Sequence, residues 1–224
     1  MRAINVYLTN ALGDTFEAFE HGDLRVSFAS MGSEGPRRVI DGYLMAFIDW
    51  MLPDISGLDM CRRLRANPAT SNAHITMVLE RDDIHDRRRA IDTGADSYII
   101  GPIDRNLVLD RILAMHGGNG NRLSAGTLEL GDLTLNSGSY LARWKDAPIA
   151  LRSSQFRLLR LFAERPNQVL TRKDVIEGLG KIEQIVDERT VDVWIKRLRI
   201  SLKEAGVDKL LRTVHGQGYV LDFP

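Results

Sequence analysis

The sequence predicts an α/β domain built on a five-stranded, doubly wound parallel sheet, followed by a smaller domain in which an antiparallel sheet, three helices and a C-terminal hairpin succeed one another. Three observations carry that expectation. Short apolar runs alternate with helical patterns over residues 1–116, and parallel strands need crossover connections of that kind. Glycine and asparagine then fill residues 117–121, which breaks the pattern. Charge divides at the same place: residues 1–116 hold 13 Arg, no Lys and 17 acids, whereas residues 117–224 hold 17 Lys plus Arg against 13 acids. The halves therefore carry −4 and +4, which directs any polyanion to the second.

In the first domain, residues 1–116, the expected strands are Ile4 to Leu8, Leu24 to Ala29, Met45 to Ile48, Ile75 to Leu79 and Ser97 to Ile100, with amphipathic helices between them. Functional groups of such sheets lie at the C-terminal ends of the strands. Asp49 falls there, directly after Met45 to Ile48. Residues 117–126 read as a flexible linker, because Gly117, Gly118, Asn119, Gly120 and Asn121 offer no apolar face.

In residues 127–224, Thr127 to Leu135, Tyr140 to Trp144 and Ala147 to Leu151 read as an antiparallel meander. Phe156, Leu159, Leu161 and Phe162 define a first helix, capped by Ser153 or Ser154 and ended by Pro166. Thr171 opens a second, with Asp174 at the capping-box position. A third runs from about Glu188 to Ala205. Leu211 to Val214, the turn His215-Gly216-Gln217-Gly218 and Tyr219 to Phe223 then close as a hairpin.

Composition narrows the function classes. With 44% hydrophobic and 27% charged residues the chain is ordinary globular material. It has no run of 18 apolar residues and no basic-then-apolar leader, so a cytoplasmic protein without membrane contact is expected. The single cysteine, Cys61, excludes an internal disulfide and is expected to pack as a small hydrophobe. His21, His74, His85, His116 and His215 lack ligand spacing, and no Ser/His/Asp set or phosphate-cradling loop is evident. No enzyme, resident metal or cofactor is expected.

The third helix carries the chemistry of the second domain. Val191, Trp194 or Ile195, Leu198 and Leu202 recur at helical spacing toward the core, while Arg189, Lys196, Arg197, Arg199 and Lys203 occupy the other face. A helix of that kind suits the major groove of DNA. The competing expectation is a solvated face in which Asp192 pairs with Lys196. The order of elements, with Arg189-Thr190-Val191-Asp192-Val193-Trp194-Ile195-Lys196-Arg197-Leu198-Arg199 and Leu211-Arg212-Thr213-Val214-His215-Gly216-Gln217-Gly218-Tyr219, resembles the winged-helix effector domain of the OmpR/PhoB family of response regulators. The resemblance implies that Arg189, Thr190, Lys196, Arg197, Arg199 and Thr213 meet double-stranded DNA, and that Trp194 occupies a position that often faces it. His215 stands where the family usually has a wing arginine. Gly180 to Asp187 resembles the loop that contacts RNA polymerase.

Phe47 to Asp59, together with Gly94-Ala95-Asp96-Ser97-Tyr98 and Gly101-Pro102, resembles the receiver domain of the same family. The resemblance makes Asp49 the phosphoacceptor and Tyr98 the switch aromatic. Receiver chemistry also needs an acid pair to hold Mg²⁺, a hydroxyl and a lysine. Here Leu8, Thr9 and Asn10 stand for the acids, Leu79 for the hydroxyl residue and Gly101 for the lysine. A lone Asp49 does not supply the electrostatic positioning that phosphoryl transfer requires; its structural alternative is a remnant hydrogen-bonded to Thr9 or Asn10. The family's dimer face maps onto Arg87, Asp92, Asp96, Asp110 and Arg111. The expected protein is a dimeric, phosphorylation-independent DNA-binding regulator. The alternatives are a conventional response regulator phosphorylated at Asp49 by a histidine kinase and a receiver that serves as a protein-docking module.

Overall fold

The computed structural model describes residues 2–10, 12–37, 39, 42–116, 126–137, 141–179 and 188–223. The chain forms two compact units, Met1–Gly117 and Gly118–Pro224. The first contains β1 (Arg2–Leu8), α1 (Leu12–Thr15), β2 (Phe19–His21), β3 (Leu24–Ser30), β4 (Tyr43–Asp49), α2 (Gly57–Ala66), β5 (His74–Leu79), α3 (Ile84–Thr93), β6 (Ser97–Ile100) and α4 (Arg105–His116).

The strands form one sheet in the order β2-β3-β1-β4-β5-β6. The five expected strands pair in parallel, and β4 and β5 are apolar runs buried on both faces. From β1 the chain moves outward to β3 and returns on the other side to β4, so strand order reverses between β1 and β4. A crevice therefore opens at their C-terminal ends.

Two crossovers differ from expectation. After β1 there is a single helical turn, and then β2 adds an antiparallel edge to β3. Phe28 of β3 meets Phe16 edge-on at 5.4 Å and stacks on Phe19 of β2 at 6.1 Å. Between β3 and β4 the described residues contain no helix. Gly32, Gly35, Pro36 and Gly42 lie in that stretch, and each disfavours helix.

The second unit contains β7 (Thr127–Leu130), β8 (Leu133–Asn136), β9 (Leu141–Trp144), β10 (Ala147–Ile149), α5 (Ser153–Ala163), α6 (Arg172–Gly178), α7 (Glu188–Glu204), a 3₁₀ turn at Asp208–Leu210, β11 (Leu211–Val214) and β12 (Gly218–Leu221). The first four strands form an antiparallel sheet and the last two a hairpin, which together with the three helices make a winged helix. Neither Ser153 nor Ser154 caps α5. Arg152 is the cap residue, and its N–H donates to Gln155 Oε1 at 2.7 Å.

Thr171 and Asp174 form the expected capping box on α6: Asp174 N–H donates to Thr171 Oγ1 at 3.1 Å and Thr171 N–H to Asp174 Oδ2 at 2.8 Å. Arg160, fully buried, joins α5 to the sheet by donating to Leu135 O at 3.2 Å, and its Nε donates to Glu164 Oε1 at the end of the same helix at 3.0 Å. A methyl group at Gly218 would lie 2.0 Å from Leu170 O. Only glycine lets the hairpin approach that strand-like bridge. The helices close over a core of Phe156, Leu159, Phe162, Val175, Val191, Ile195, Leu198 and Leu202. Among the described residues no helix is long and apolar enough to cross a membrane.

Candidate nucleic-acid interface and acceptor site

The register of β1 against β4 pairs Leu8 with Phe47, so the residues following Leu8 arrive beside Asp49. Thr9 Oγ1 donates to Asp49 Oδ2 at 2.9 Å and accepts from Asp49 N–H at 2.8 Å. Asn10 Nδ2 donates to the same carboxylate oxygen at 3.2 Å. Asn10 Oδ1 accepts from Leu12 N–H at 3.1 Å, and its backbone carbonyl accepts from Ser30 Oγ at 2.9 Å, which fixes the amide's orientation. On the opposite side, a methyl group at Gly57 would lie 2.1 Å from Asp49 O, so glycine is what allows α2 to start directly against the acceptor strand. Leu79 is buried, and a Cβ at Gly101 would meet Val78 Cγ1 at 2.9 Å. Thr9 and Asn10 thus present hydrogen-bond donors toward Asp49 where a cation would need anionic oxygens. Among the described residues no cluster of three or more His, Cys, Asp or Glu offers a metal site.

In the second unit, α7 buries Thr190, Val191, Trp194, Ile195, Leu198 and Leu202. Both Trp194 and Ile195 are therefore inside. Trp194 is 6% exposed, and its indole packs in the core, on the helix face it shares with Leu198 and Val191. Thr190, also buried, is turned inward with it. Arg189 and Lys196 are exposed and Arg197 is half-buried. His215 is exposed at the hairpin turn.

Arg199 turns to the hairpin, where Nε donates to Leu211 O at 3.0 Å and Nη2 to Thr213 Oγ1 at 2.8 Å. Asp192 does not serve Lys196. Its Oδ1 accepts from Arg172 Nε at 2.8 Å and from Tyr219 O–H at 2.5 Å. Asp192 holds the Arg172 guanidinium above its ordinary pKa, while burial and then the Asp192 hydrogen bond push the Tyr219 phenol up. The Gly180 to Asp187 loop lies outside the described residues.

Residues 11–113 match the family described as response regulator receiver domain, and residues 146–221 match the family described as transcriptional regulatory protein, C terminal. The phosphate regulon transcriptional regulatory protein PhoB of Rhizobium meliloti is 34% identical over 178 residues, 80% of this chain and 78% of that protein. The response regulator ArlR of Staphylococcus saprophyticus is 31% identical over 203 residues, 90% of each chain. The chain belongs to the OmpR/PhoB family of response regulators. It is a transcriptional regulator of the DNA-binding type. A solved mutant form of RitR aligns over 100% of both chains with a TM-score of 0.59 at 20% identity, a likeness of fold alone.

Of the residues expected on a dimer surface, Asp92 and Asp110 are exposed. Arg87 pairs with Asp82 and lies 5.5 Å from the centre of the buried Tyr98 ring. Arg111 Nη2 donates to Tyr98 O at 3.3 Å. Asp96 is not on that surface. It is 3% exposed and accepts from Arg65 Nη2 at 2.7 Å and from Ile75 N–H at 2.9 Å. Arg65 reaches it from α2 and also donates to Ala73 O at 2.6 Å, so the Asp96 carboxylate is enclosed within the first unit.

Proposed function

We propose that this OmpR/PhoB-type regulator binds specific double-stranded DNA as a dimer without phosphorylation of Asp49. The observation that carries the reading is the Thr9–Asn10–Asp49 cluster. Its acceptor carboxylate is engaged by two neutral donors from the end of β1, at 2.9 and 3.2 Å. Bringing Mg²⁺ to Asp49 would strip those hydrogen bonds, neither Thr9 nor Asn10 offers a carboxylate in return, and a hard dication needs charged oxygen ligands. With Leu79 and Gly101 in place of a hydroxyl residue and a lysine, the phosphoryl oxygens would also lack partners. These residues do not fit the metal.

DNA recognition rests on the exposed cationic face of α7, with Lys196 and Arg189 outward and Arg197 at its margin, and on the hairpin as wing. The core-facing Val191, Trp194, Leu198 and Leu202 dock the far side of the helix, which is the arrangement a groove-entering helix requires. A dimer formed through α3 and α4, using Arg87, Asp92, Asp110 and Arg111, would place two recognition helices on half-sites about one helical turn apart. Selection of duplexes from a random pool by unmodified protein, followed by titration across salt, tests this reading. Enrichment of a repeated half-site with a steep salt dependence is expected. Recovery of unrelated sequences, or enrichment only after treatment with a phosphodonor, would contradict it.

A further inference from the structure

We propose that Arg199 is a positioning residue that fixes the wing and the Thr213 hydroxyl, and that its charge does not contact DNA. The proposal rests on the DNA-binding reading given above. Arg199 and Asp192 lie two turns apart on one face of α7, and both are turned toward the hairpin. The Arg199 guanidinium donates to Leu211 O and Thr213 Oγ1, at 3.0 and 2.8 Å, and its carbon lies 5.7 Å from the centre of the Tyr219 ring. Tyr219 is the cross-strand partner of Thr213 in the hairpin. The same ring has the Arg172 guanidinium 5.5 Å from its centre, and its O–H shares Asp192 Oδ1 with Arg172. Helix α6, helix α7 and both strands of the wing are thus tied to one aromatic ring.

The consequence for recognition lies at Thr213. A hydroxyl that accepts from Arg199 keeps its single proton for another acceptor, and among the described residues none takes it. The half-buried Thr213 side chain is therefore locked in a rotamer whose O–H is available to a phosphate oxygen. A lysine in place of Arg199 retains the charge but loses the planar fork that reaches two acceptors at once.

The test uses full-length Arg199→Ala, Arg199→Lys, Thr213→Val and the double variant Arg199→Lys/Thr213→Val. The probe is a duplex selected by the parent protein. If Arg199 acts by position, Arg199→Lys weakens binding about tenfold, as much as Arg199→Ala. The slope of log affinity against log salt stays unchanged, and the losses of Arg199→Lys and Thr213→Val combine to less than their sum in the double variant. In DNA-free protein, amide exchange across Leu211 to Leu221 accelerates in both Arg199 variants, since the wing loses its tie to α7. Parent-like binding by Arg199→Lys, or a slope lowered by about 0.9 in Arg199→Ala, would make Arg199 a phosphate contact and overturn the proposal. Unaltered exchange in the wing would overturn it as well. Failure of the parent to select any duplex would refute the DNA-binding reading instead, while the exchange measurement would still decide whether Arg199 holds the wing.

Discussion

The acceptor crevice of the first unit and the α7 face of the second both lie where their folds place function, yet they handle charge in opposite ways. Around Asp49 the polar groups turn inward on one another: Thr9 both donates to and accepts from Asp49, and Asn10 is anchored by Leu12 and Ser30. On α7 the cations are arranged in layers. Arg199 is consumed by the wing, whereas Lys196 and Arg189 remain exposed. The first arrangement supports the proposal of a crevice without phosphoryl chemistry, and the second that of a helix offered to a polyanion.

The largest effects should come from groups whose burial sets them apart from the surfaces they adjoin. Trp194→Ala should cost the second unit about 3–5 kcal/mol in denaturant unfolding, whereas Trp194→Phe should bind DNA much as the parent does. A DNA-facing indole would give the reverse: little loss of stability and a large loss of affinity. Asp96→Asn, which leaves Arg65 buried without its carboxylate, should destabilise the first unit by about 3–5 kcal/mol. Sedimentation below the unfolding transition should show the parental oligomeric state. An altered state with unchanged stability would return Asp96 to the dimer face.

Smaller effects probe the exposed charges. Lys196→Ala should weaken binding to a selected duplex by about 1–3 kcal/mol and, if it meets a phosphate, lower the salt slope by about 0.9. An unchanged affinity and slope would remove this face of α7 from the interface. In the proposed dimer, reversal of the half-buried Arg87 and Arg111 to Glu together should shift the equilibrium toward monomer only modestly, since surface ion pairs contribute about 0.2–1 kcal/mol each. Parental sedimentation by the double variant would place the dimer contact elsewhere.

What was legible in the sequence follows from which residues report on local structure and which on partners. Apolar runs such as Met45 to Ile48 and Ile75 to Leu79 announce buried parallel strands because both of their faces must be covered. The Thr171-x-x-Asp174 signature announces α6, since its capping bonds span only three residues. The proximity of Thr9 and Asn10 to Asp49 was also readable, because strand order alone brings the ends of β1 and β4 together. Other features were hidden for physical reasons. The edge strand β2 depends on a ring contact between Phe19 and Phe28 that no local period encodes. Asp96 looks like a surface acid until Arg65, distant in sequence, encloses it. Trp194 could be assigned to the core or to DNA from spacing alone, and only packing decides. The Arg172–Asp192–Tyr219–Arg199 assembly joins three elements, and its sole sequence trace is the two-turn spacing of Asp192 and Arg199 on one helix face.

The claim that the acceptor crevice is closed to phosphoryl chemistry while the DNA-binding unit works unaided is tested most directly by one titration. A duplex selected by the parent is titrated with the parent and with Asp49→Asn, each with and without beryllofluoride and Mg²⁺. Beryllofluoride mimics an acyl phosphate only where metal ligands and phosphoryl-oxygen partners are in place. The account predicts four superimposable binding curves, because Thr9 and Asn10 already engage the Asp49 carboxylate and neither of them is an acid. Tighter binding by the parent in beryllofluoride and Mg²⁺, absent from Asp49→Asn, would contradict it and restore a phosphorylation switch.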